Sequence, residues 1–309
     1  MKVNYSIVAP IFNELDNLPE LYRRVREVMS AVRGTWELVL VDDGSTDDST
    51  EAVRQLARQD KHVRPVIFAR NFGHQVAITA GWDHARGDAV VIIDADLQDP
   101  PEVIPELIAK WKEGYQVVYA VRAEREGETW FKRFTASLFY RIIYRITDVN
   151  IPLDTGDFRL MDRRVVDVLK TMRERHRFPR GMSAWVGFKQ VGVPYKRAAR
   201  HAGVTKYPFK KMLKLALNAI TGFSYFPLQL ATYFGFGSAA LAIIAIPVVV
   251  VMRLMGSQFF AGQATTLIAV LFLGGVQLIS LGVLGEYLGR VYDEAKGRPL
   301  YILSEGPED

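Results

Sequence analysis

Along the N-terminal part of the chain, short runs of β-branched and aliphatic residues alternate with stretches whose apolar positions recur every three or four residues. Residues 5–9 read as a first strand. Leu18, Leu21, Val25, Val28 and Val32 then share one face of a helix, with Asp16 or Asn17 as its cap. Residues 37–41 read as a second strand ending in Asp42, Asp43 and Gly44, after which residues 45–48 can cap a helix through Arg58. A third strand follows at 63–68 and a short helix at 74–84, closed by Gly87. Residues 89–93 are wholly apolar, the mark of a strand covered on both faces and therefore central in its sheet. Pro100 and Pro101 open the next helix, and residues 116–121 read as a fifth strand. Such alternation predicts an α/β fold of the Rossmann-like kind, with a mainly parallel central sheet.

The second part of the chain follows another pattern. Residues 229–252 and 265–285 carry no charge, and runs of 24 and 21 residues are long enough to cross a hydrocarbon layer of about 30 Å as helices. They predict two transmembrane helices, the first containing Pro247. Lys210, Lys211 and Lys214 precede the pair and Arg290, Lys296 and Arg298 follow it, while the connection holds only Arg253. This bias predicts both ends in the cytoplasm, and the N-terminal part, which begins with no apolar segment, beside them. Two amphipathic segments lie between the sheet-forming part and the spans. Residues 129–146 interleave aromatic and cationic side chains, fitting either a membrane-surface helix or one packed on the sheet. Residues 207–223 are the stronger interfacial candidate.

Composition narrows the chemistry. No cysteine occurs among the 309 residues, which removes disulfides, thiolate metal sites and thiol nucleophiles. The net charge of +5 suits nucleic acid, anionic lipid or phosphorylated ligands alike. His62, His74, His84, His176 and His201 share no metal-ligand spacing, so a zinc site is not expected. Trp82, Trp130 and Trp185 read as core or interfacial anchors, and no stacking-platform motif points to nucleic acid.

Acidic clusters mark the predicted strand ends. Asp94 and Asp96, with Gln98, follow the central strand, where ligands of parallel sheets collect. Their side chains would point one way if the strand continued, offering oxygen ligands for Mg²⁺ or Mn²⁺ against a diphosphate. Asp42 to Asp47 follow the second strand and Pro10, Phe12 and Glu14 the first. Helix capping and turn chemistry explain each cluster singly; three at one sheet edge point to a ligand site.

Residues 10–14, 42–47 and 94–101, in that order and spacing, resemble the motifs of the family 2 inverting glycosyltransferases with the GT-A nucleotide-sugar fold. With residues 156–160, 200–207 and 285–290 added, the whole chain is similar to the polyprenyl-phosphate glycosyltransferases, bacterial relatives of dolichol-phosphate mannose synthase. Thr205 stands where the family commonly has Ser, which keeps the hydroxyl. The resemblance implies a cytoplasmic GT-A domain over 1–206, a juxtamembrane region over 207–228, two spans within 229–285 and a cytoplasmic tail over 286–309, in a multi-pass protein of the inner (plasma) membrane. It implies that Pro10, Phe12, Glu14, Asp42, Asp43 and Asp94 hold the nucleotide sugar, that Asp94, Asp96 and Gln98 carry Mg²⁺ or Mn²⁺, and that Arg200 and Lys206 grip phosphate. Asp96 and Asp157 are its catalytic candidates.

Asp157 is the usual candidate for the base, yet a phosphate monoester is mostly dianionic at neutral pH and needs no deprotonation. Asp157 can instead position the acceptor or balance Arg159 and nearby cations. The expected reaction moves one sugar, by analogy from UDP-glucose, to polyprenyl (undecaprenyl) phosphate. GDP-mannose is the alternative donor, and a catalytically silent membrane scaffold the alternative of another class. A processive polysaccharide synthase is disfavoured, because two spans are too few to wall a channel and no Gln-x-x-Arg-Trp motif is present. Gly274, Gly275, Gly282 and Gly285 would permit close helix contacts in a homo-oligomer.

Overall fold

The computed structural model describes residues 2–122, 155–196, 224–255 and 263–306. The segments 129–146 and 207–223, together with Arg200, Thr205 and Lys206, lie outside the described residues. The chain divides into two units, Met1–Gly222 with Arg298–Asp309, and Phe223–Gly297.

The first unit is built on β1 (Tyr5–Ile11), β2 (Trp36–Asp42), β3 (Val63–Phe68), β4 (Ala89–Ile92), β5 (Val117–Arg122), β6 (Thr155–Asp162), β7 (Gln190–Tyr195) and β8 (Leu303–Glu305). They form one sheet in the order β7-β5-β6-β4-β1-β2-β3-β8. β4, β1, β2 and β3 are mutually parallel, as the alternating pattern requires. β6 runs antiparallel between β4 and β5, and β8 runs antiparallel along β3. β4 is central and buried throughout, the consequence of its Ala-Val-Val-Ile sequence.

Helices α1 (Leu18–Ala31), α2 (Ser49–Gln59) and α4 (Ile104–Lys112) pack one face of the sheet, burying Leu18, Leu21, Val25, Val53 and Leu107 with Ile7, Leu38 and Leu40. Helix α3 (His74–His84) packs on β1 and β2. A Cβ at its Gly81 would come within 2.0 Å of Val8 Cγ1, so the helix lies on β1 as closely as a glycine allows. Helices α5 (Arg163–Thr171) and α6 (Pro179–Trp185) follow β6. Trp82 is completely buried.

Three local expectations change. Asn17 stands at the N-cap position of α1, but its side chain makes no capping bond there, its Nδ2 donating instead to Glu14 Oε2 at 2.6 Å. Helix α1 stops before Val32, which is extended. Gly87 does not close α3, whose last turn ends at His84. It is needed instead because a Cβ would sit 2.5 Å from the Ser6 nitrogen of β1.

The second unit holds two long apolar helices, α7 (Phe226–Leu254) and α8 (Gln263–Ala295). Both are long and apolar enough to cross a membrane, over Phe226–Met252 and Ile268–Ala295, with none of either span buried within the protein. Pro247 lies inside α7. Near the ends of the pair, Tyr287 Oη donates to the Ser224 carbonyl at 2.7 Å and Ser224 Oγ accepts from the Phe226 amide at 3.0 Å. A Cβ at Gly274, Gly275, Gly282 or Gly285 would meet no atom within 4 Å, so these glycines do not mediate the contact between α7 and α8.

Candidate active site

The site forms where the carboxyl ends of β1, β2 and β4 meet the start of β6. Register places its central pair. Ile92 of β4 is opposite Arg159 of the antiparallel β6, so two residues beyond β4 Asp94 comes level with Asp157. His74, first residue of α3, lies between them, its Nε2 3.5 Å from Asp94 Oδ1 and 3.5 Å from Asp157 Oδ2. Arg180, in the first turn of α6, grips Asp157 through Nε to Oδ1 at 2.9 Å and Nη2 to Oδ2 at 3.1 Å.

This packing fixes the charges. Burial opposes ionisation of Asp157, but Arg180 and His74 outweigh it and hold the carboxyl well below the usual aspartate range. Burial likewise disfavours a charged His74. The hydrogen bond with Asp157 and the charges of Asp94 and Asp157 prevail and carry it up to about 9. Asp94 goes the other way: burial, with the carboxylates of Asp99, Asp157 and Asp96 adding to it against His74, pushes it up to about 6. Asp94 Oδ1 is buried and accepts no hydrogen bond.

Beyond Asp94 the chain turns rather than continuing as a strand. Leu97 is almost completely buried with φ 59°, a left-handed conformation uncommon for a branched side chain, and Asp96 Oδ1 accepts from the Gln98 amide at 3.2 Å. The three side chains expected to share a strand face are therefore carried on a turn anchored by Leu97. Asp99 is buried behind it and accepts a hydrogen bond from Tyr195 Oη at the end of β7. Among the described residues, no three His, Asp or Glu side chains converge to hold a metal by themselves. A cation at Asp94, with Asp96 and Gln98 on the same turn, would take its other ligands from a diphosphate and water, the habit of Mg²⁺. Asp94 Oδ1, which accepts no hydrogen bond and lies among several carboxylates with the His74 ring 3.5 Å away, fits such an ion.

The other two acidic motifs knit their loops together. Asp42 is fully buried; its Oδ1 accepts from the Ser45 amide at 3.2 Å and hydroxyl at 2.5 Å, and its Oδ2 from Thr50 Oγ1 at 2.5 Å. Asp43, also buried, accepts from the amides of Phe72 at 2.7 Å and Gly73 at 3.0 Å and from Asn71 Nδ2 at 3.0 Å. Burial raises its pKa although those amides oppose it. Gly44 has φ 65°, and a Cβ there would lie 2.4 Å from the Arg70 carbonyl carbon, so only glycine lets the two loops touch. Asn13, at φ 54°, takes the Thr46 amide on Oδ1 at 2.8 Å and gives its own amide to Ser45 Oγ at 3.0 Å. The Glu14 amide donates to Ser49 Oγ at 3.0 Å. Pro10 is buried on β1, while Phe12 is 36% exposed beside these loops.

His74 and Arg180 were not singled out by the sequence. Arg159, the expected partner of Asp157, instead donates to the Gly156 carbonyl at 2.8 Å and to Ser183 Oγ. The one signal for His74 was its place just after the third strand, at the edge where the acidic motifs collect. Nothing in the local sequence marked Arg180.

Residues 6–169 match the sequence profile of Glycosyl transferase family 2. The chain belongs to this family and is a glycosyltransferase. The SfII prophage-derived bactoprenol glucosyl transferase of Shigella flexneri is 44% identical, over 97% of both chains. The uncharacterized glycosyltransferase YkcC of Bacillus subtilis (strain 168) is 51% identical over 98% of this chain and 94% of that one. Among solved structures, glucosyl-3-phosphoglycerate synthase from Mycobacterium tuberculosis, in complex with Mn²⁺, UDP-glucose and phosphoglyceric acid, is similar at 23% identity over 71% of this chain and 78% of that one, with a TM-score of 0.46. The GT-A expectation for the fold holds in the mixed sheet and in the family match.

Proposed function

We propose that this glycosyltransferase moves a single glucose from UDP-glucose to polyprenyl phosphate, with inversion at the anomeric carbon, aided by Mg²⁺ or Mn²⁺ at the cytoplasmic face of the membrane. The observation that carries the reading is the pairing at the sheet edge, a buried Asp94 oxygen that accepts no hydrogen bond and has the His74 ring 3.5 Å away, beside an Asp157 already neutralised by Arg180 and His74. The relatives named bactoprenol glucosyl transferases, matched over nearly their full length, supply the acceptor and the sugar.

In this reading the turn over residues 94–98 holds the divalent ion, which when bound neutralises charge on the departing diphosphate. Asp42 and Asp43 shape the nucleoside pocket by fixing its loops, with Phe12 at their side. An oxygen of the lipid phosphate attacks the anomeric carbon as the bond to the diphosphate breaks, and UDP leaves. A phosphate monoester is largely dianionic above a second pKa of about 6, so no proton need be taken from it. Asp157 suits that chemistry better than it suits a base, because its lone pairs are occupied and its carboxyl is far from accepting a proton. It holds Arg180 and His74 in place, two cations beside the phosphate groups that meet there. Arg200 and Lys206 add further positive charge for the lipid phosphate. The two apolar helices keep the enzyme at the bilayer from which its acceptor never departs.

The test is transfer of label in membranes offered UDP-glucose or GDP-mannose separately with undecaprenyl phosphate and Mg²⁺. Label reaching the lipid phase from UDP-glucose is expected; label from GDP-mannose alone would replace the sugar, and label from neither donor would overturn the acceptor assignment.

A further inference from the structure

The segment after the second apolar helix returns to the catalytic sheet. Gly297 turns the chain at φ 57°, and residues 302–305 then pair with the end of β3, covering what would otherwise be an open edge. Ile67 pairs with Glu305 and Phe68 with Leu303, the Ala69 amide donates to the Ile302 carbonyl at 2.9 Å, and Ser304 Oγ donates to the Ile67 carbonyl at 3.2 Å. Side chains fasten the same stretch. Arg54 forms a two-pronged ion pair with Glu305, and Arg175 donates to the Arg298 carbonyl. A three-residue strand is short for a sheet edge, and its fastenings gather at the end of β3 that leads into residues 70–73.

Tyr301 is the centre of this clasp. Its ring stacks on Phe68 with centroids 5.0 Å apart and planes 15° from parallel, and its hydroxyl donates to Asp83 Oδ2 at 2.9 Å. Phe68 in turn meets Phe72 edge to face, centroids 5.6 Å apart at 89°. Phe72 carries the Arg70 guanidinium over its ring, 4.1 Å from the ring centre, and gives its own amide to Asp43. The loop over residues 70–73 is thus pinned from two directions. Gly44 and Asp43 hold it from the side of the donor pocket, and Phe68, itself held by Tyr301, from the side of the tail.

We propose that Tyr301 is a positioning residue for the donor site, acting through Phe68 and Phe72 on the loop that Asp43 anchors, so that nucleotide affinity depends on the segment following the membrane helices. The proposal rests on the reading of this edge as the nucleotide-sugar site. Tyr301 reaches no reacting group. Its influence is confined to how well the 70–73 loop is preset before the nucleotide arrives.

The probe is UDP with Mn²⁺, titrated against the full-length protein in detergent, with the KM for donor and for lipid acceptor measured alongside. Tyr301→Ala is expected to weaken UDP binding and raise the donor KM by about tenfold while leaving the acceptor KM unchanged, and Tyr301→Phe, which keeps the stacked ring, to recover most of the affinity. Phe68→Leu cuts the same connection without touching the tail and should reproduce the loss, and the double variant Phe68→Leu/Tyr301→Ala should lose no more than either alone. Unchanged UDP affinity in folded Tyr301→Ala, an equal rise in both KM values, or additive losses in the double variant would overturn the proposal. If Tyr301→Ala does not fold, Phe68→Leu with the donor and acceptor KM values decides it alone. Absence of UDP binding by the unaltered protein would instead count against the nucleotide-sugar reading of the site.

Discussion

Asp157 shows how environment decides the work of a carboxylate. On sequence alone it is a free acid, as fit to take a proton as to hold a cation. Between Arg180 and His74 it becomes a permanently ionised clamp. Asp157→Asn keeps the shape but offers Arg180 an amide, and charge-assisted hydrogen bonds of this kind are worth about 1.5–3 kcal/mol. We therefore expect turnover to fall by about 10- to 100-fold, at about 1.4 kcal/mol per factor of ten, with nucleotide affinity retained. A loss as deep as that of Asp96→Ala, with nucleotide still bound, would restore the general base. The acidic residues of this site were legible because they stand in clusters at strand ends. His74 and Arg180 were not, since a single histidine or arginine carries no spacing of its own and finds its partner only through the pairing of β6 with β4. The left-handed Leu97 was equally hidden, because nothing in its type announces a positive φ.

At the scale of elements, apolar patterning located β1 to β5 and α1 to α4 within a few residues, because each is a local run with its own period. β6 escaped it: a strand from the middle of the chain, after β5, inserts antiparallel between β4 and β5, and only long-range register decides that. β8 escaped for the same reason, its three residues pairing with a strand near the opposite end of the chain. Contact between α3 and β1 has a sharper consequence. Alanine at an exposed helical position gains about 1 kcal/mol over glycine. At Gly81 the added methyl meets the stiff side chain of Val8, and overpacking costs typically 1–3 kcal/mol. Gly81→Ala should therefore lower the melting temperature of the purified protein and disturb His74 at the far end of the same helix; an unchanged or raised melting temperature would show that β1 and α3 separate freely.

For the whole molecule, the decisive feature is connectivity. The chain leaves the first unit before α7 and rejoins it after α8, where residues 303–305 complete the sheet. We propose that both apolar helices cross the membrane, which for a hairpin with both ends tied to one folded unit puts both ends on one side. The charge bias of the flanking segments gives the same answer from the sequence. The protein contains no cysteine, so single introduced thiols report without background. Ser304→Cys, exposed on β8, should react with a membrane-impermeant maleimide only after cells are opened, and Ser257→Cys, in the connection between the helices, in intact cells. The reverse pattern, or labelling of both from outside, would contradict this topology.

The proposed transfer of glucose to a lipid phosphate depends on a divalent ion at the turn over residues 94–98. It is tested most directly by comparing the unaltered protein with Asp96→Ala in the same membranes, following radiolabel from UDP-glucose into extracted undecaprenyl phosphate at a fixed Mg²⁺ concentration. Label in the lipid phase is expected for the unaltered protein, with its loss when the ion is chelated and background alone for Asp96→Ala. Equal label from both proteins, or label that persists without a divalent ion, would contradict it.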